Sequence, residues 1–214
     1  MFESKNGTAV KICGITRRED AFKAVELGVD ALGFNTWKGT KRYLDVEAAG
    51  SWISEIPSSV VRVAVLVNST PEDLERIVQL PFIDVIQLHG DEGEKEVAHA
   101  VKFGKPIIKA IRPKSISELQ AVNKWPLKDI LLDAFVDSFY GGTGASQSME
   151  MITEFQRLFP NHSLWLAGGL TPENVGNKVE MINPTVIDVA SGVEYEPGKK
   201  DAEKMAAFIS AVKI

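Results

Sequence analysis

The sequence is short of cysteine: Cys13 stands alone in 214 residues. A lone cysteine excludes an internal disulfide framework, and without a CxxC pair or a cluster among the three histidines it excludes a structural zinc site as well. Long apolar runs are missing too. No uninterrupted stretch approaches the ~20 residues that cross a bilayer, so no membrane partner is expected. The polar start MFESKNGTAV lacks the apolar centre of a signal peptide, which leads us to expect a cytoplasmic protein. Charge of one sign is also scarce. The 24 Lys and Arg against 29 Asp and Glu give a net charge of -5, with no basic run to follow a phosphodiester backbone, so nucleic acid is an unsuitable partner. A small anion stays open, because helix N-termini and backbone N–H groups bind one without net positive charge. No linker or low-complexity segment divides the chain, and 44% hydrophobic with 25% charged residues is ordinary for one sizeable core.

What is there is an alternation. Short aliphatic runs at Ala9 to Gly14, Ala31 to Phe34, Val60 to Val67, Val85 to Leu88, Pro106 to Ile111, Asp129 to Asp133, Leu164 to Ala167 and Val186 to Val189 read as strands. Between and after them, Glu19 to Leu27, Val46 to Glu55, Pro71 to Leu80, Glu94 to Phe103, Ile116 to Asn123, Met149 to Leu158, Pro172 to Val179 and Ala202 to Val212 carry helical periodicity. Thr70-Pro71 and Thr171-Pro172 look like helix starts, a threonine cap before proline at the first helical position with acids following. Most of the strands are apolar on both faces, as a parallel strand must be when one face fills a barrel and helices cover the other. Eight units at a spacing of roughly 27 residues predict one (β/α)8 barrel, a single catalytic domain over residues 1–214. The rival, a doubly wound open sheet, loses its main support because Lys11-Ile12-Cys13-Gly14-Ile15-Thr16 stands where a GxGxxG turn would follow the first strand.

A barrel fixes in advance where chemistry belongs, namely at the C-terminal strand ends and the loops after them. The polar residues expected there are Lys11, Cys13, Asn35, Asn68, His89, Asp91, Arg112, Asp133, Asp188 and Ser191. A free cysteine in an apolar strand commonly packs as a small hydrophobe. Cys13, though, ends a strand before a glycine and lies two residues from Lys11, so both side chains can face one opening, and the cation would favour a thiolate able to take a proton. Asp133 ends the apolar run Ile130-Leu131-Leu132, where burial would raise its pKa and leave it a proton to donate near neutrality. A base and an acid across one opening suit an isomerisation.

Three glycine turns follow the last strands: Gly141-Gly142-Thr143-Gly144, Gly168-Gly169-Leu170 and Ser191-Gly192-Val193-Glu194. Each alone is a flexible turn, but barrels often hold a phosphate in the loops after strands seven and eight, so Gly142, Thr143, Gly144, Gly168, Gly169, Ser191 and Gly192 are candidate phosphate ligands. Arg42, in Thr40-Lys41-Arg42-Tyr43, offers a planar fork for a carboxylate, although loop arginines are mostly solvated. His89 is open in the same way, whereas His99 and His162 read as surface residues.

Taken together, Lys11-Ile12-Cys13-Gly14-Ile15-Thr16, Gln87-Leu88-His89-Gly90, Leu131-Leu132-Asp133, Gly141-Gly142-Thr143-Gly144, Ala167-Gly168-Gly169-Leu170 and Asp188-Val189-Ala190-Ser191-Gly192-Val193-Glu194 closely resemble the phosphoribosylanthranilate isomerase family, in the family's order and along essentially the whole chain. The resemblance implies an Amadori rearrangement in tryptophan biosynthesis on a small phosphorylated aminosugar, without cofactor or metal, by a monomer or homodimer. It further implies Asp133 as acid, Cys13 as base, Arg42 on the anthranilate carboxylate, Asp188 on the sugar hydroxyls, Lys11 and His89 among the substrate-binding groups, and the glycine turns on the phosphate. One stretch departs from the family pattern: Asn35-Thr36-Trp37 replaces small apolar residues and an aromatic before Arg42-Tyr43, altering the wall that leads to Arg42. Ribulose-phosphate epimerases and the histidine-pathway aminosugar isomerase share the fold and phosphate loops but lack this cysteine and acid pairing. A non-catalytic barrel kept as a ligand sensor is the alternative of another class, since one fold hosts many roles.

Overall fold

The computed structural model describes residues 7–133 and 148–213. Eight strands, β1 (Ala9–Cys13), β2 (Ala31–Asn35), β3 (Val61–Leu66), β4 (Val85–Leu88), β5 (Ile107–Ile111), β6 (Asp129–Leu132), β7 (Ser163–Ala167) and β8 (Val186–Val189), close into one parallel barrel in sequence order. Closure is made by β1 against β8, with Lys11 opposite Asp188. Helices α1 (Arg18–Glu26), α2 (Gly50–Ile53), α3 (Pro71–Val78), α4 (Glu94–Val101), α5 (Ile116–Leu119), α6 (Met149–Leu158), α7 (Val175–Ile182) and α8 (Ala202–Val212) alternate with them. The alternation follows from the sequence, because β-branched runs suited to a pleated, fully covered sheet are separated by amphipathic stretches. Among the described residues no helix is long and apolar enough to cross a membrane.

Two apolar layers result. The larger lies between sheet and helices and takes the outward residues of the strands, such as Ile12, Phe34, Leu66 and Ile187, together with helical Ala21, Leu74, Val97, Phe155 and Phe208. The smaller fills the barrel with Ala31, Val63, Val65, Val85, Ile108, Leu131, Trp165 and Val186. Trp165 is wholly buried there and its indole N–H donates to Asp129 Oδ1 at 3.1 Å, so the bulkiest side chain of the interior has its polar atom satisfied. Period-two alternation then dictates what stands above this plug: the inward row of β1 continues through Lys11 to Cys13, and that of β4 through Gln87 to His89.

The caps are where sequence and structure differ. Thr70 does cap α3, its hydroxyl accepting from Asp73 N at 3.2 Å with Pro71 at the first helical position. The matching signal at Thr171-Pro172 does not open a helix. Asn174 Oδ1 accepts from Thr171 N at 3.0 Å while its Nδ2 donates to Gly169 O at 2.8 Å, so an asparagine side chain closes a separate turn and α7 begins only at Val175. Likewise α2 is confined to Gly50–Ile53, because Asp45 Oδ1 draws the amides of Glu47 and Ala48 into a turn where a helix from Val46 is expected. The segment expected as a helix from Ile116 to Asn123 tightens into a 3₁₀ turn at Gln120–Lys124. Beyond β8 the chain forms an unexpected hairpin, β9 (Glu194–Glu196) against β10 (Lys199–Lys200).

Candidate active site

At the C-terminal strand ends lies a pocket whose wall includes Cys13, Arg42, His89, Asp133 and Asp188. Gly168, Gly169, Ser191 and Gly192 line its other side. Cys13 and Asp133 thus come from β1 and the end of β6 to a single opening. Room for the thiol is provided by Gly33, its register partner on β2: a Cβ there would lie 2.8 Å from Sγ. At Gly192 a Cβ would overlap the Leu170 carbonyl oxygen, so the turns after β7 and β8 can approach each other only with glycine at that position.

Lys11 occupies a different place from the one expected. It is 0% exposed and lies one layer below the opening, its Nζ 2.9 Å from Asp188 Oδ1 and also paired with the Cys13 thiol. Asp188 and Cys13 hold Lys11 above the ordinary lysine value even though burial pulls it down. For Cys13 the balance goes the other way. Burial pushes the thiol above 9.0, Asp188 adds to the rise, and the opposing pull of Lys11 and Lys200 does not overcome it. The neighbouring cation does favour the thiolate, as expected, but desolvation outweighs its pull.

Asp133 is buried and pairs with His89, Nε2 to Oδ2 at 3.0 Å. His89 Nδ1 in turn meets Gln87 Nε2 at 2.6 Å. Arg42 is not a solvated loop arginine. Its Nε and Nη2 donate to the two oxygens of Glu194 at 2.9 and 2.6 Å, a bidentate fork that holds the guanidinium against the pocket wall. Behind it, Lys200 Nζ reaches Glu194 Oε1 at 2.8 Å, Cys13 O at 2.6 Å and Ala190 O at 3.1 Å. Burial draws Lys200 below the usual lysine value with Glu194 opposing, while Glu194, despite burial, is held below 4.5 by Arg42 and Lys200.

Of the remaining polar ring, Asn68, Asp91 and Arg112 do not line this pocket. Asn68 Oδ1 accepts from Asp91 N at 2.7 Å and Arg112 donates to His89 O at 3.3 Å, contacts that tie the loops after β3, β4 and β5 together. Asn35 does face the pocket, but Thr36 and Trp37 face a separate, polar cavity beside α3, so only one of the three unusual residues after β2 touches the wall leading to Arg42. Gly142, Thr143 and Gly144 lie outside the described residues.

Residues 10–211 match the family profile described as N-(5'phosphoribosyl)anthranilate (PRA) isomerase. The chain belongs to the PRA isomerase family. A relative from Trichlorobacter lovleyi named N-(5'-phosphoribosyl)anthranilate isomerase is 41% identical over 204 residues, 95% of this chain and 97% of that one. The crystal structure of phosphoribosyl anthranilate isomerase from Thermotoga maritima superposes with a TM-score of 0.85 at 35% identity, covering 96% of this chain and 98% of that one. A further structure of the enzyme, in complex with reduced 1-(o-carboxyphenylamino)-1-deoxyribulose 5-phosphate, matches with a TM-score of 0.82 at 35% identity over 96% and 98% of the two chains. In this PRA isomerase family member three supporting side chains escape sequence reasoning. Gln87 could have been found, since it shares a strand face with His89; Glu194 and Lys200 sit in Glu194-Tyr195-Glu196-Pro197-Gly198-Lys199-Lys200, which reads as a solvated turn.

Proposed function

We propose that this protein converts N-(5'-phosphoribosyl)anthranilate into 1-(2-carboxyphenylamino)-1-deoxyribulose 5-phosphate, the isomerisation its relatives are named for, with Asp133 as general acid and Cys13 as general base. The observation that carries the reading is that this carboxyl and this thiol line one pocket. Asp133 gives its proton to the furanose ring oxygen as the C1–O bond breaks; the bonding pair stays with oxygen and the anthranilate nitrogen supplies its lone pair to form an iminium. The iminium makes the C2 proton acidic, and ionised Cys13 removes it, leaving an enolamine that tautomerises to the ketose. Every electron pair stays within the substrate, so the reaction consumes no cofactor.

The other groups bind. Gly168, Gly169, Ser191 and Gly192 present backbone and hydroxyl donors to the phosphate, with Gly142, Thr143 and Gly144 assigned to it from the sequence. Asp188, oriented by Lys11, meets sugar hydroxyls. Arg42 takes the anthranilate carboxylate on the edge that carries Nη1, since Glu194 occupies its Nε–Nη2 edge. Purified protein should consume the fluorescent substrate. Cys13→Ala and Asp133→Asn should each lower kcat by at least about a hundredfold while circular dichroism and melting stay near wild type. Turnover at the wild-type rate in either variant refutes the assigned roles, and binding without turnover by the wild type favours a sensor.

A further inference from the structure

Gln87 is a wholly buried polar side chain in the interior of the barrel, and nothing in acid-base chemistry at the pocket wall requires it. It sits one inward position below His89 on β4, and its Nε2 is 2.6 Å from His89 Nδ1. Its other amide atom, Oε1, is buried and has no hydrogen-bond partner among the described residues. A buried acceptor left without a partner is destabilising, so the bond that Nε2 does make is retained at some expense.

We infer that Gln87 is a positioning residue which, through His89, fixes where Asp133 carries its transferable proton. An amide nitrogen can only donate, so Nδ1 of His89 must present its lone pair to it. The one proton of a neutral imidazole is then on Nε2, which points at Asp133 Oδ2, 3.0 Å away. A carboxyl oxygen that accepts this N–H does not itself carry the proton, so the proton given to substrate is carried on Oδ1. As it leaves, the charge that develops on the carboxylate is met by a donor already in position.

Neutrality matters as much as the tautomer. An imidazolium would need a proton on Nδ1, which would face the amide N–H across the same 2.6 Å. It would also pair with an Asp133 carboxylate and leave no proton to give. Gln87 therefore keeps His89 as an uncharged donor. This inference rests on the reading of Asp133 as the general acid.

The chain has only three histidines, so 15N-histidine NMR of the intact protein can isolate His89 by comparison with a His89→Asn sample. In wild type at pH 7, His89 should show a bare Nδ1 and a protonated Nε2. Gln87→Glu, which puts an acceptor where the donor was, should move a proton onto Nδ1. Both Gln87→Glu and the near-isosteric Gln87→Leu should lower kcat by about tenfold or more while KM changes less than about twofold. A wild-type His89 protonated on Nδ1 overturns the inference whether or not any variant folds, as do folded Gln87 variants with unchanged kcat. Failure of the underlying reading is separately visible: Asp133→Asn would turn over normally even though the His89 tautomer stayed as stated.

Discussion

A thiol makes a workable proton acceptor only when ionised, and Cys13 is placed where burial opposes ionisation and two lysines only partly relieve it. Its folded-state value lies above 9.0, so the ionised fraction should keep rising past pH 9, whereas kcat/KM in the proposed reaction, which needs Asp133 protonated as well as Cys13 ionised, should pass through a maximum instead of following that rise. The rate of iodoacetamide alkylation, which needs only the thiolate, should follow the ionised fraction without any substrate present; a plateau of that rate by pH 7 would contradict it. Gly33→Ala tests the space around the same atom, since the added methyl meets Sγ at 2.8 Å. We expect an overpacking cost of about 1–3 kcal/mol by urea titration, together with loss of activity. At this scale the sequence placed Cys13 and Asp133 at one pocket because polar side chains at the ends of apolar strands stand out. Lys11 pulls the thiol toward ionisation as its spacing predicts; what the sequence did not show is depth, since alternation puts Lys11 on the correct face but one layer down and desolvation of Cys13 itself outweighs that pull.

Among the elements, the barrel strands were legible almost residue for residue, since a strand covered on both faces leaves a continuous apolar signature. Helix starts were less so. Thr70-Pro71 and Thr171-Pro172 carry the same local signal, and what separates them is the Asn174 side chain bonded to Gly169, a contact set by the turn after β7. The β9–β10 hairpin was invisible for a related reason. Its short charged strands look solvated, yet Lys200 is 3% exposed and joins Glu194 to the carbonyls of Cys13 and Ala190. Lys200→Met should destabilise the protein by about 3–5 kcal/mol in urea unfolding, because it leaves a buried carboxylate with one partner fewer. Glu194→Gln should instead raise KM more than it lowers kcat, since it removes the charge that aligns the Arg42 fork; an unchanged KM would detach Arg42 from substrate binding.

Across the whole molecule, buried or half-buried carboxylates set the acid limit. Glu194 and Asp84 have folded-state values below 4.5 and 3.8, Glu194 through Arg42 and Lys200 and Asp84 through Arg62, each overcoming burial. A depressed carboxylate contributes stability that is fully present above its unfolded value and is lost as pH falls through the folded one. The melting temperature should therefore show no loss from these groups on acidification from pH 7 toward pH 5, and should drop below about pH 4.5. A decline already complete at pH 5 would deny these pairs their role. One consequence of joining the first strand to the last concerns biosynthesis. Lys11 waits for Asp188, and the Cys13 carbonyl for Lys200, contacts 177 and 187 residues apart along the chain. At a ribosome adding roughly 5–20 residues per second, the nascent polypeptide spends on the order of ten seconds or more with the thiol proposed as the base already translated but its pocket unfinished, so premature termination before the final hairpin should yield only inert product.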